Sequence, residues 1–239
     1  MPNLMLDFAM MAHDSYNGDA VGYNDWAKTK CPWQRDIGVA GQKQIGRFYA
    51  CVYKLPRAGI AVVAYRGTDD LADTLVDDVG GIGLSLNALA LRLDDAVDFA
   101  SLYRPMFKDL WVVGHSLGGA YAQLVSAALG VPGVSFNAPG VLHLYNQLSP
   151  SRVRRFIGAA TGSIDALLGL ALPFYESGLT KAVSGAQDLP AVANLRGHMD
   201  PVSLVGAHLG APLQTIRVPH NSPHPHSMVP IIDALKARA

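Results

Sequence analysis

The chain has 239 residues, with 19 basic and 19 acidic side chains, and half of its residues are hydrophobic. This length favours one well-packed domain, so we expect a single domain over 1–239. The balanced charge gives no electrostatic reason to bind nucleic acid or an anionic membrane surface. A charged fraction of only 16% indicates a large core rather than disorder.

The start of the chain lacks the basic segment and uninterrupted apolar run of a secretory signal. No stretch approaches the roughly 18 apolar residues that a membrane span requires. A cytoplasmic protein is therefore the default expectation, with export by a signal-independent route left open. The two cysteines, Cys31 and Cys51, are expected to be lone thiols rather than a disulfide.

The first predicted elements are a helix and a hairpin. Residues 3–16 have apolar side chains at helical spacing. Residues 46–53 and 60–65 are two strand-like runs joined by turn residues, which predicts an antiparallel hairpin. Thr68 follows the second run and is a candidate oxyanion donor, although a turn in which Thr68 or Asp69 begins a helix is the competing interpretation.

The middle of the chain alternates between helices and buried strands. A helical stripe covers 86–100, apolar strands cover 110–113 and 133–137, and a helix covers 121–128. This alternation predicts an α/β fold with a mostly parallel central sheet flanked by helices.

The run Gly114-His115-Ser116-Leu117-Gly118 has the spacing G-x-S-x-G between a predicted strand and a predicted helix. In this context the motif places a nucleophilic serine on a strained turn. A Cβ atom two residues to either side of Ser116 would collide with the neighbouring strand and helix. His115 should point away from the serine hydroxyl and shape the pocket wall.

A serine hydroxyl needs a histidine to take its proton and a carboxylate to orient that histidine. Ser116, Asp200 and His226 occur in the order Ser, acid, His that accompanies this motif. Asp200 is favoured because it follows a predicted strand, and His226 because it stands closest before a last helix at 229–236. The other acids between Ser116 and the terminal histidines are Asp165, Glu176 and Asp188.

Two further histidines, His220 and His224, compete with His226 for the role of base. Three clustered histidines are also compatible with a metal site. Pro223 and Pro225 stiffen the segment, and no cysteine or paired carboxylate stands nearby. We therefore expect neither a metal nor a cofactor.

Residues 141–192 are the hardest part of the chain to interpret. Their apolar portion, 164–179, fits either a helix pair packed on the core or a helical cap over the site. The apolar stretch 80–91 is a second candidate for a lid. We expect a lid or cap insertion, with 141–192 as the candidate segment.

Taken together, these motifs resemble the class 3 lipases, the fungal-lipase-like branch of the α/β-hydrolase superfamily, in a bacterial-type form. The resemblance is carried by Tyr65-Arg66-Gly67-Thr68, the run 114–119, Asp200-Pro201-Val202 and His226-Ser227-Met228. It implies a triad of Ser116, Asp200 and His226. It also implies an oxyanion hole formed by Thr68 and the backbone N–H of Leu117, with Asp77 holding the Thr68 side chain.

The resemblance and the triad imply hydrolysis of acyl esters through an acyl-enzyme intermediate on Ser116. The expected partner is an acyl-ester or lipid substrate, with transient contact to a lipid interface. The same residues would serve a phospholipase, a lysophospholipase or an acyltransferase. A non-catalytic binding protein on a hydrolase fold is the remaining alternative.

Overall fold

The computed structural model of the protein describes residues 4–17, 32–36, 38–67, 79–147, 191–218 and 224–238. In these residues one sheet contains the strands β1 Gln34–Arg35, β2 Gln42–Ile45, β3 Phe48–Leu55, β4 Ile60–Tyr65, β5 Asp109–His115, β6 Gly133–Phe136, β7 Val192–Gly197 and β8 Gln214–Ile216. The helices are α1 Leu4–Asp14, α2 Val79–Ser101, α3 Leu117–Leu129, α4 Leu142–Gln147 and α5 Met228–Lys236.

The sheet is parallel through its centre and antiparallel at one side. Strands β4, β5, β6, β7 and β8 follow one another in parallel. Strand β3 pairs antiparallel with β4, and its other edge carries both β1 and β2. The predicted hairpin and the predicted parallel sheet are both confirmed.

Each face of the sheet is covered by helices, which gives three layers. Alternate residues of the central strands enter opposite cores: Val63 and Val112 pack with α2 and α3, whereas Val62 and Val113 pack with α1 and α5. Strand β5 is buried from Leu110 onward. A strand covered on both faces explains why this part of the sequence is apolar without alternation.

Several sequence-based expectations concern segments that the structure describes only in part. The cap candidate 141–192 is described only at its two ends, and its apolar portion 164–179 lies outside the described residues. The lid candidate 80–91 forms the first half of α2. Cys51 is a buried free thiol, while Cys31 lies outside the described residues. No described helix is long and apolar enough to cross a membrane.

Candidate active site

The backbone turns sharply at Ser116, between the end of β5 and the start of α3. Ser116 has φ 58° and ψ −129°, a conformation that a side-chain-bearing residue rarely adopts. The turn is held by its surroundings, since the Ser116 N–H donates to the carbonyl oxygen of Phe136 on β6 at 3.0 Å. Strain of this kind costs about 1–3 kcal/mol and persists where the surrounding structure enforces it.

The two glycines of the motif are required by close backbone approaches. A Cβ atom on Gly114 would lie 2.2 Å from the backbone oxygen of Gly118. A Cβ atom on Gly118 would lie 2.0 Å from the carbonyl oxygen of Tyr65 on β4. Any side chain at either position would therefore push α3 away from the sheet, as the G-x-S-x-G spacing predicts.

The strained backbone yields a stability prediction. Ser116→Gly should be more stable than Ser116→Ala by about 1 kcal/mol or more, because glycine tolerates the positive φ whereas alanine retains the Cβ. Both variants lack the hydroxyl, so the difference reports relief of the backbone strain, less the roughly 0.5–1 kcal/mol that the greater unfolded-state entropy of glycine costs. Urea unfolding of the two proteins measures it, and equal stability would contradict the assignment of strain to this residue.

The three predicted side chains Ser116, His226 and Asp200 meet above the carboxyl edge of the sheet. His226 Nε2 lies 2.9 Å from Ser116 Oγ, and His226 Nδ1 lies 2.7 Å from Asp200 Oδ1. An ionised carboxylate only accepts hydrogen bonds, so His226 Nδ1 carries the proton and Nε2 is free to accept the serine proton. The exposed fractions are 1% for Ser116 and Asp200 and 8% for His226.

Asp200 follows β7 by three residues and is held in its ionised form. Burial alone would raise the pKa of its carboxyl, but hydrogen bonds and charge from His226 and hydrogen bonds from the hydroxyl and N–H of Ser203 hold that pKa below its ordinary value. The Ser203 N–H donates to Asp200 Oδ2 at 2.9 Å. One oxygen therefore receives the backbone N–H and the other receives the imidazole.

Among the competing candidates, His226 contacts the serine whereas His224 is exposed. His220 and the alternative acids Asp165, Glu176 and Asp188 lie outside the described residues. Within the described ranges no group of three His, Cys, Asp or Glu side chains has the arrangement to hold a metal ion.

Of the two candidate oxyanion donors, Leu117 and Thr68, only Leu117 is among the described residues. Leu117 is the first residue of α3, and the N–H of such a residue has no acceptor within its own helix. Thr68 and Asp77 lie outside the described residues, so their roles stay predictions. The preceding Gly67 does approach the serine: a Cβ atom built on it would lie 3.0 Å from Ser116 Cβ.

The expectation that His115 shapes the pocket wall is wrong. The His115 ring is buried, with a residue exposure of 6%, and packs against the His226 ring at a centroid distance of 4.8 Å. Its Nε2 lies 2.6 Å from the His226 carbonyl oxygen, which also accepts from Asn137 Nδ2 at 3.1 Å. Because Ser116 turns outward on its strained backbone, the residue before it points inward behind the site.

Asn137 was missed as a site residue. It directly follows β6, adopts a positive φ of 46°, and accepts the Gly197 N–H at the end of β7 through its side-chain oxygen at 2.8 Å. Its position after a parallel strand was a usable signal, because such residues gather at the same sheet edge as the nucleophile. Its side chain joins the ends of two strands to the backbone of His226.

Burial keeps His115 uncharged. Loss of solvation and the neighbouring His226 lower the pKa of His115 to about 3, while Asp200 acts in the opposite direction and His13 adds to the lowering. The unfolded chain, with an ordinary histidine pKa of about 6.5, therefore binds the extra proton first as the pH falls. The stability contributed by uncharged His115 is complete above about pH 6.5 and is lost progressively below it.

His115→Gln should reduce the acid sensitivity of the fold. Between about pH 6.5 and 4.5 the wild type should lose about 2–3 kcal/mol more stability than the variant, at about 1.4 kcal/mol per pH unit for one proton. Urea unfolding at the two pH values measures this difference. The matched control His143→Gln, at an exposed position, should behave as the wild type. Equal losses in wild type and His115→Gln would contradict the prediction.

A mostly parallel sheet with helices on both faces and a serine on a strand-to-helix turn defines an α/β-hydrolase. Within that class, residues 7–163 match the phospholipase-like family of Tle-like phospholipase domains. The chain belongs to this family.

Curated relatives are similar over parts of the chain. A putative lipase ATG15 from Yarrowia lipolytica is 24% identical over 179 residues, which covers 58% of this chain and 32% of that protein. A putative lipase ATG15 from Debaryomyces hansenii is 50% identical over 48 residues, or 20% of this chain and 8% of that protein. The chain thus spans about a third or less of the length of these relatives.

Solved structures share the fold. Lip2 lipase from Yarrowia lipolytica has a TM-score of 0.51 at 16% identity, with 94% of this chain and 82% of that chain covered. A mutant form of MDLA from Penicillium cyclopium has a TM-score of 0.52 at 14% identity, with coverage of 92% and 80%. At these identities the likeness establishes a fungal-lipase-like fold.

Proposed function

We propose that the protein is a serine ester hydrolase that cleaves acyl esters through an acyl-enzyme intermediate on Ser116. The observation that carries this proposal is the continuous hydrogen-bonded series from Asp200 through His226 to Ser116 Oγ. Ser116 lies on a strained turn that presents its hydroxyl to His226. The family and the fold are those of lipid-cleaving enzymes, which supports the same conclusion.

The mechanism follows from the proton positions. His226 Nε2 takes the hydroxyl proton while Ser116 Oγ attacks the ester carbonyl, and Asp200 stabilises the imidazolium. The Leu117 N–H and Thr68 would hold the oxyanion, a contribution of about 10²-fold or more per donor. The imidazolium then protonates the leaving alcohol, and water repeats both steps to release the acid.

The first candidate substrate is the acyl ester that a lipase or carboxylesterase cleaves, and a phospholipid is the second candidate. The matched family is described as a phospholipase domain, whereas the curated relatives are named putative lipases. An acyltransferase would differ only in accepting an alcohol in place of water. Membership of class 3 lipases in a bacterial-type form stays a prediction, since the named relatives supply no support for the bacterial qualifier.

A fluorophosphonate probe and an acyl-ester series test the proposal. The wild type should become labelled at Ser116, and hydrolysis should be measured on nitrophenyl esters from acetyl to stearoyl, on a triglyceride emulsion and on phospholipid vesicles. Faster turnover of vesicles than of emulsion would identify a phospholipase. Transfer to an added alcohol in preference to water would identify an acyltransferase. A wild type that neither reacts with the probe nor cleaves any ester would overturn the proposal in favour of a binding protein.

A further inference from the structure

The carbonyl oxygen of His226 is the acceptor of two side-chain hydrogen bonds. One comes from Asn137 Nδ2 at 3.1 Å and the other from His115 Nε2 at 2.6 Å. A carbonyl oxygen cannot donate, so His115 Nε2 must carry a proton. In an uncharged imidazole the other nitrogen, Nδ1, is then an acceptor.

Tyr16 supplies the donor that this tautomer requires. Its hydroxyl lies 2.8 Å from His115 Nδ1, and the two rings meet edge to face at a centroid distance of 5.6 Å. A hydroxyl that donates to Nδ1 disfavours a proton there and thereby places it on Nε2. The hydrogen bonds therefore run in one direction, from Tyr16 through His115 to the backbone of His226.

The position of Tyr16 is set by a buried ion pair away from the catalytic residues. Asp14, at the end of α1, accepts from Arg35 Nη1 at 3.0 Å and from the Tyr53 hydroxyl at 2.5 Å. Asn17 Nδ2 donates to the same carboxylate at 3.1 Å. Asp14, two residues before Tyr16, is thus bonded to β1 and β3, and Asn17, directly after Tyr16, is bonded to Asp14.

From these contacts we propose that Tyr16 and His115 act as positioning residues, which fix the main chain of His226 and so align its imidazole between Ser116 and Asp200. This inference rests on the proposed function of the triad. Neither residue touches reacting atoms. They act by holding the His226 carbonyl oxygen. This fixes the distance from the His226 imidazole to the Ser116 hydroxyl without a further side chain entering the pocket.

Losing the Tyr16 hydroxyl would release the His115 ring on one side, because Nδ1 would have no donor while the His226 carbonyl oxygen still requires the proton on Nε2. The ring could then rotate, which would lengthen the 2.6 Å hydrogen bond from Nε2 to that carbonyl oxygen. The carbonyl would move, and with it the imidazole, while the remaining bond from Asn137 limits the displacement. Small misalignments of a catalytic group cost up to about 10²-fold.

Kinetics of three variants test the inference. Tyr16→Phe should lower kcat about tenfold with little change in KM, since the substrate contacts are unchanged. His115→Phe, which keeps a ring but no nitrogen, should lower kcat about 10²-fold. His115→Gln retains a donor and an acceptor and should stay within about threefold of the wild type. The matched control is Tyr65→Phe, which loses a buried hydrogen bond to the Ala96 carbonyl on α2 but should leave kcat unchanged.

Nitrogen-15 NMR of the histidine rings provides a readout independent of turnover. The wild type should show His115 protonated on Nε2 and uncharged at pH 6, and Tyr16→Phe should keep this tautomer but show shifted resonances of His115 Nδ1 and of the His226 Nδ1 proton. A wild-type His115 protonated on Nδ1 or charged at pH 6 would overturn the inference, as would Tyr16→Phe with wild-type kcat. A protein inactive on every ester would instead refute the proposed function, while an unshifted His226 Nδ1 proton in Tyr16→Phe would by itself overturn the positioning role.

Discussion

Ser116→Ala is expected to lower kcat/KM on acyl esters by at least about 10⁴-fold and to abolish labelling by a fluorophosphonate. The reason is chemical: the variant keeps the backbone, His226 and Asp200 but has no oxygen to form the acyl-enzyme. Only transition-state binding by the rest of the site remains. Steady-state kinetics on a soluble nitrophenyl ester and mass spectrometry of the labelled protein measure the two effects.

The control for this variant is Ser101→Ala, which removes a hydroxyl at the end of α2 that bonds to the Val97 carbonyl oxygen at 2.8 Å. It should be labelled and turn over substrate as the wild type does. Circular dichroism should show that Ser116→Ala is folded, since alanine retains the Cβ of serine. Labelling that survives in Ser116→Ala would identify a different nucleophile and would remove the basis of the proposed function.

The nucleophile turn could be predicted from the sequence because its constraints are local. Gly114 and Gly118 are each required by a backbone contact of their own, and the buried strand before them and the helix after them have simple apolar patterns. Predicting Asp200 and His226 also required the order and direction of the strands. Parallel strands bring their carboxyl ends to one edge, so an acid after β7 falls beside the serine after β5.

The support behind His226 could not be predicted in the same way. Tyr16 contacts His115 across 99 positions of sequence, and His115 contacts the His226 carbonyl across 111. No periodicity or motif in the sequence indicates that two residues about a hundred positions apart form a hydrogen bond. The sequence placed His115 on the pocket wall, whereas its ring lies between the Tyr16 hydroxyl and the His226 ring, and that contact depends on how the start of the chain packs against the sheet.

Asp200→Asn is expected to lower kcat about 10³–10⁴-fold at neutral pH, although an amide and a carboxylate are nearly the same size. The Ser203 N–H, 2.9 Å from Asp200 Oδ2, requires an acceptor at that position. The amide oxygen of the variant would therefore face Ser203, which turns the amide NH₂ toward His226 Nδ1. Since an NH₂ group donates, His226 would keep its proton on Nε2 and could no longer accept one from Ser116.

The control variant for Asp200→Asn is Asp98→Asn, which makes the same change at an exposed position on α2. It should leave kcat as in the wild type, because Asp98 does not contact His226 or Ser116. Asp200→Asn with more than about a tenth of wild-type kcat would exclude Asp200 as the acid. Asp165, Glu176 and Asp188 would then be the residues to replace. Loss of kcat with unchanged unfolding stability would instead show that the carboxylate is needed to set the tautomer of His226.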